Sequence, residues 1–310
     1  MLSQWPEMLL TAEMRFKTKQ LMFIILRKIL STKHRFGFTR WFDPDNYQSD
    51  SAMQFETIIV QEAPRKLTAT ISRPNRGNSI NSTLIRELGA ALDLAERLPG
   101  CRTLVLEGAP GLFCTGMDFQ EVAANSGVEA TETAGISDYM LLLKRFTLSS
   151  KVIVCRLDGK VIAGGVGLVA ASDIVISTER TEFSLSEALW GLLPCCVIPF
   201  LIRRVGFQKA YFMTLTTKPV SASEACAIHL VDELTDNLEE SLRKLTLRLN
   251  LLDDNTIVDM KRYFQKMGGI TLELEQAATT EIARLVAQPH VQQNIANYVT
   301  QGAFPWERKV

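Results

Sequence analysis

Phe113-Cys-Thr-Gly-Met-Asp118, after the apolar run Thr103 to Leu106, and Gly159-Lys-Val-Ile-Ala-Gly-Gly-Val-Gly167, after Val152 to Leu157, are two glycine-centred elbows. Each reads as a buried strand, a tight glycine turn and a helix start. The first N–H groups of a helix have no carbonyl partner within it and carry the positive end of its dipole. Two such junctions, if they converge, can hold an oxygen whose negative charge grows during a reaction.

Outward from the elbows the pattern is regular. Phe55 to Val60 and Leu67 to Ser72 read as a hairpin, and Arg73-Pro-Asn-Arg-Gly-Asn-Ser-Ile-Asn81 as a loop ending at a helix cap. Leu84, Ile85, Leu88, Ala91, Leu92 and Ala95 form a helical stripe that stops at Pro99-Gly100. Repetition of strand, elbow and helix predicts an α/β body with right-handed crossovers. Ile174 to Ser177 and Phe183 to Leu185 are further strands, and the chain beyond Pro194 is almost wholly helical. Gly127 to Gly135, small and acidic, reads as a flexible rim after the first elbow.

The division expected is a basic, poorly ordered extension over 1–52, a core over 53–235 and a helical region over 236–310. In the extension, basic residues surround an apolar run, Leu21 to Leu26, far shorter than a membrane span requires. It also lacks the order of a secretory signal.

Composition removes several function classes. With 34 basic and 34 acidic residues the formal net charge is zero, so no electrostatic case for nucleic acid exists. The six cysteines form no C-x-x-C pair and the three histidines stand far apart, so neither a metal site nor a Ser-His-Asp arrangement is indicated. Reduced, mostly buried thiols point to the cytoplasm.

Glu187 lies in the apolar stretch Phe183 to Pro194, where a carboxyl should lose solvent and gain proton affinity. A surface or cap glutamate is the plain alternative. Asp118, just after the elbow glycine, most simply caps the helix beginning at Phe119, with an acid or base role as the alternative. Gly164 to Gly167 would also serve close packing or a phosphate, but the spacing does not fit a dinucleotide fingerprint.

Taken together, Arg73-Pro with Asn78-Ser-Ile-Asn81, Leu106-Glu-Gly108, Phe113 to Asp118, Asp158-Gly159 with Ala163-Gly-Gly165, Ser172-Asp-Ile174 and Phe183 to Pro194 resemble the crotonase, or enoyl-CoA hydratase/isomerase, superfamily. The resemblance runs in order from about Phe55 to Glu307. FCTGMDFQE over 113–121, FSLSEALWG over 183–191, Pro199 to Arg204, Gln208 to Ala210, Met213 to Pro219 and Gly302-Ala-Phe-Pro-Trp-Glu307 resemble its polyketide-biosynthesis branch.

This resemblance implies the crotonase (ClpP/crotonase-like) fold, with a ββα-repeat core and a C-terminal trimerisation region. The activity implied is a lyase that dehydrates a 3-hydroxy-3-methylglutaryl thioester on an acyl carrier protein. It implies oxyanion donors at the backbone N–H groups of Met117 and Gly164, Glu187 as a catalytic carboxyl with Asp118 as a candidate helper, and Gly116, Gly165 and Lys160 at the substrate. Lys160, following the Gly159 turn, is a candidate to pair with the distal carboxylate, although an exposed loop lysine is the commoner outcome, and Arg203, Arg204 and Lys209 offer positive charge to phosphopantetheine or carrier protein or simply form a solvated helix face. No metal or resident cofactor is implied, since phosphopantetheine or CoA belongs to the substrate. The partners implied are a carrier protein and further copies of the chain in a homotrimer or hexamer, without nucleic acid or membrane. One departure matters: hydratases keep a second glutamate where this chain has Gly167. An enoyl thioester isomerase or hydratase, and a non-catalytic carrier-binding protein, therefore remain alternatives.

Overall fold

The computed structural model describes residues 54–124 and 129–307. The chain divides into two units, 1–53 and 54–310. The extension expected over 1–52 thus lies outside the described residues.

The second unit is built on a six-stranded sheet. Strands β1 (Ile58–Ala63) and β2 (Lys66–Ile71) form the expected hairpin, in antiparallel register from Ile58 opposite Ile71 to Ala63 opposite Lys66. β3 (Thr103–Glu107), β5 (Val152–Leu157), β7 (Ile174–Ser177) and the short β10 (Glu233–Leu234) extend it in parallel, in the order β1-β2-β3-β5-β7-β10. Central parallel strands covered on both faces are apolar where they are buried, as Leu104 to Leu106 of β3 and Val152 to Cys155 of β5 are, while Glu107 and Arg156 pair with each other at their ends. Leu104, Leu106, Ile153, Cys155 and Val175 enter the main core, whereas Val105, Val154 and Ile176 pack beneath Leu242, Leu249 and Ile257. Each such Leu or Ile contributes roughly 1.5–3 kcal/mol by leaving water.

Helix α1 (Ser82–Arg97) begins as the cap residue predicts, with the Asn81 side chain accepting from the Leu84 N–H at 2.9 Å. All six residues of its apolar stripe are buried.

Two features differ from the expectation. Neither elbow joins a strand of the main sheet directly to a helix, because β4 (Gly111–Cys114) and β6 (Gly159–Ile162) intervene and belong to a second sheet, ordered β4-β6-β8-β9 with β8 at Glu182–Ser184 and β9 at Val220–Ser221. The change of sheet rests on Gly159, at φ 105°, where a β-carbon would stand 2.0 Å from the Gly111 backbone. Only glycine allows β4 and β6 to start side by side. Second, most of the expected loop Gly127 to Gly135 belongs to helix α3 (Glu129–Leu148), after α2 (Phe119–Ala124). Alanine and glutamate are good helix formers, and the downstream face Tyr139, Met140, Leu143 and Phe146 is fully buried, so tertiary packing carries the helix through its glycine.

Helices α4 (Gly164–Ala171), α5 (Ile198–Val205), α6 (Phe207–Thr216), α7 (Ala222–Ala227), α8 (Leu238–Leu249), α9 (Asp254–Gly268), α10 (Leu272–Val286) and α11 (Pro289–Gln301) complete the unit. Lys261 of α9 fastens this helical third to the sheet by pairing with Asp173 at 2.6 Å and donating to the Lys151 carbonyl at 2.7 Å. Asp173 in turn accepts from the Ile153 N–H at 2.7 Å. Among the described residues no helix is long and apolar enough to cross a membrane.

Candidate active site

The first elbow is held by the loop before α1. Gly116 has φ 88°, and the following Met117 forms a single parallel bridge with Ile80. That bridge uses the Gly116 carbonyl, which accepts from Ile80 at 2.7 Å, and the Asp118 N–H, which donates to Ile80 at 2.8 Å. Successive backbone groups in an extended segment point to opposite sides, so the N–H of Met117 faces away from the loop. Asn78, itself at φ 52°, accepts from the Arg73 N–H at 2.8 Å and donates to the Phe113 carbonyl at 3.2 Å.

Asp118 is the brace of this arrangement. Its carboxylate pairs with Arg73 at 2.9 Å and accepts from the Ser79 hydroxyl at 3.1 Å and the Gln120 N–H at 3.1 Å. Burial alone would raise its proton affinity, but the bond and charge of Arg73, then Ser79 and Gln120, outweigh it and hold the carboxyl below its ordinary range. Near neutral pH Asp118 has no proton to give, and its oxygens are engaged in holding the elbow.

The second elbow presses against the first. Ala163 adopts φ 51°, unusual for a residue with a β-carbon, and donates to the Ser184 carbonyl at 2.8 Å. Helix α4 starts at the next residue. A β-carbon on Gly116 would lie 2.6 Å from that of Ala163 and 3.3 Å from the Gly164 nitrogen, while one on Gly164 would lie 3.0 Å from Ile80 Cδ1. Gly116, Ile80 and Gly164 therefore meet at one point, which is the convergence an oxyanion site needs. Gly165 faces β4, where a β-carbon would come 2.9 Å from the Cys114 carbonyl, so its visible task is to seat the helix on the strand.

Glu187 opens a short 3-10 turn, Glu187–Trp190. Its Oε2 is sealed from solvent and has no hydrogen-bond partner. Loss of solvent raises the carboxyl to about 7, only partly opposed by a backbone hydrogen bond. That is the range a proton carrier near neutral pH requires. The turn is fixed from below by Trp190, whose ring meets Phe119 of the first elbow's helix at 4.7 Å, Tyr298 at 5.2 Å and Trp306 at 5.4 Å. Edge contacts of this kind add roughly 0.5–1.5 kcal/mol each. The Phe-Pro-Trp ending thus clamps Glu187 beside the first elbow. Its place beside the second is marked by Tyr139, whose hydroxyl donates to the Gly164 carbonyl at 2.5 Å and feels the Glu187 charge.

The other candidates are less central. Lys160 is exposed on β6, in register with Glu182. Arg204 is committed to Asp232 at 2.6 Å, Arg203 donates to the Ala170 carbonyl at 3.4 Å, and Lys209 is exposed. His229 and His290 are exposed, and no cluster of metal-ligating side chains occurs among the described residues. Burial pushes the Cys114 and Cys196 thiols up to about 12, so they are not thiolates. Sequence reasoning missed Ser79 and Tyr139; the one available signal for Tyr139 was a phenol in the apolar run Tyr139 to Leu143.

Two touching elbows, the second of them opening a helix, and a desolvated carboxyl are the parts that forming and discharging a thioester enolate requires. A model of the enoyl-CoA hydratase/isomerase family matches residues 67–309, and the chain belongs to that family. It has the crotonase fold and the catalytic character of the family's hydro-lyases. Bacillaene synthase dehydratase PksH of Bacillus subtilis is 37% identical over 253 residues, which span 82% of this chain and 97% of that protein. The crystal structure of the polyketide biosynthesis enoyl-CoA hydratase pksH from the same organism superposes with a TM-score of 0.75 at 36% identity, covering 81% of this chain and all of the other. A more distant relative, 1,2-epoxyphenylacetyl-CoA isomerase of Escherichia coli, is 26% identical over 74% of this chain and 96% of its own.

Proposed function

We propose that this protein dehydrates a 3-hydroxy-3-methylglutaryl thioester carried on an acyl carrier protein, giving the 3-methylglutaconyl thioester in polyketide β-branching. The observation that carries the reading is the sealed, partnerless Oε2 of Glu187 beside two converging elbows, in a chain related to a polyketide synthase dehydratase. Ionised Glu187 removes a proton from C2 while the N–H groups of Met117 and Gly164 bind the thioester oxygen as it becomes an enolate. The enolate electrons then form the C2=C3 bond. The C3–O bond breaks, and the departing hydroxide takes the proton back from Glu187 and leaves as water. Carboxylate and elbows end as they began, and the phosphopantetheine arm is part of the substrate. Asp118, held low by Arg73, acts as a brace and not as a second acid.

Incubation with 3-hydroxy-3-methylglutaryl carrier protein should remove one water, read by intact mass. A double-bond shift without mass change would favour the isomerase reading, which a single carboxyl also suits. Unchanged substrate that stays tightly bound would favour a non-catalytic carrier-binding role.

The assembly reading rests on α9, where Met260, Tyr263, Phe264 and Met267 form an exposed apolar stripe at helical spacing. We assign this stripe, within region 236–310, to contact between copies in a homotrimer or hexamer. Native mass spectrometry should give a multiple of three chains, and Phe264→Lys with Met267→Lys should shift it to smaller species. A monomeric parent would end this assignment.

A further inference from the structure

One buried group at the centre of the site takes no part in the proton transfers above. Tyr139 of α3 is 3% exposed, and its hydroxyl donates to the Gly164 carbonyl. A β-carbon on Gly167 would stand 2.2 Å from that same hydroxyl, 3.0 Å from Val197 Cγ2 and 3.3 Å from Leu143 Cδ1. Tyr139 and any side chain at position 167 therefore compete for one volume. Burial first, then the acidic neighbours Cys114, Cys196 and Glu187, hold the phenol well above its ordinary value. It stays a donor across the working range of pH.

We propose that Tyr139 is the positioning residue of this site: its hydroxyl clamps the Gly164 carbonyl, fixing the second oxyanion elbow, and fills the room at Gly167, so that Glu187 alone carries protons. The inference deepens the dehydratase reading and rests on it for its kinetic consequences. An oxyanion donor works only while its N–H points where charge develops, and this elbow contains Ala163 in a strained conformation that relaxation would turn. A hydroxyl locked on the adjoining carbonyl opposes that turn. Because nothing on position 167 can reach the substrate, the proton taken from C2 and the proton given to the leaving hydroxide pass through the same carboxyl.

Tyr139→Phe removes the clamp and leaves the ring. It should lower kcat about 10-fold with KM within about twofold, because the lost orientation acts on the developing charge. The acid limb of the pH profile should keep its midpoint, since Glu187 still titrates alone. Amide hydrogen exchange over 163–168 should quicken about 10-fold, whatever the substrate. Gly167→Ala should lower Tm, and the double variant Tyr139→Phe with Gly167→Ala should regain part of that loss, as two groups sharing one volume require. Parental kcat together with parental exchange in Tyr139→Phe, a loss confined to KM, or additive Tm losses in the double variant would overturn the proposal. If the parent leaves the carrier substrate unchanged, the dehydratase reading fails; exchange and the double variant still decide for or against the clamp.

Discussion

Replacing Glu187 by Gln is expected to abolish dehydration, by about 10³-fold or more in kcat, and to make the protein more stable than its parent above pH 7. The amide keeps the carboxyl's shape but cannot accept the C2 proton, and the described residues offer no other base. Asp118 is tied to Arg73, Ser79 and Gln120, and Lys160 is exposed whereas Oε2 is sealed. Stability moves the other way because that buried oxygen has no partner to offset its charge. Folding raises the carboxyl from 4.5 to about 7, so between those values the native state holds a proton that the unfolded chain has released. Stability from this group is therefore complete below pH 4.5 and is lost as pH rises through 7, a change of about 3 kcal/mol. Gln escapes that loss but must bury an amide at a cost of about 1–2 kcal/mol, which leaves a net gain of about 1–2 kcal/mol at pH 8 and a net loss of about 1–2 kcal/mol at pH 4.5. Urea unfolding at the two values measures it. In the parent, kcat/KM should rise with pH around a midpoint near 7, as the base form appears. A Gln variant that turns over normally, or is no more stable than its parent at pH 8, would show that the carboxyl is not the isolated base described.

The second large effect is expected at Gly116. Alanine there places a β-carbon 2.6 Å from that of Ala163 and 3.3 Å from the Gly164 nitrogen, on a backbone at φ 88°. The two elbows must separate. Loss of one aligned donor costs about 10²–10³ in kcat, and the backbone conformation adds about 1–2 kcal/mol of destabilisation. Gly100→Ala is the matching control. Gly100 has φ 76° with nothing within 4 Å of its added β-carbon, so it should share the stability cost and keep parental kcat. Kinetics and thermal melts on both variants separate the backbone cost from the elbow contact. Equal kcat losses would mean that the contact between elbows is irrelevant.

Both predictions concern residues that stand out in the amino-acid order, a glycine ending a strand and an acid among apolar neighbours. Their consequences do not. Asp118 reads first as a helix cap and second as an acid, and its role as a brace appears only with Arg73, 45 positions earlier, set against it. Tyr139 was one aromatic in a helix face, and its meaning comes from Gly164 and Gly167, which lie across a packed interface. The stretch Gly127 to Gly135 looked like a rim because small and acidic residues are common in loops, yet the buried face downstream continues the helix back to Glu129.

Local chemistry settled what neighbours along the chain can settle: the alternation of strands and helices, the cap at Asn81, glycine at the turns and the apolar setting of Glu187. Those properties depend on torsion angles and on periods of a few residues. Tertiary structure alone decided that β4 and β6 leave the main sheet, that the elbows touch, that Phe119, Trp190 and Trp306 hold the carboxyl in place, and that Tyr139 occupies the space over Gly167. Contacts between residues 25 to 120 positions apart depend on how whole layers pack, and the desolvation that tunes Glu187 exists only once those layers have closed.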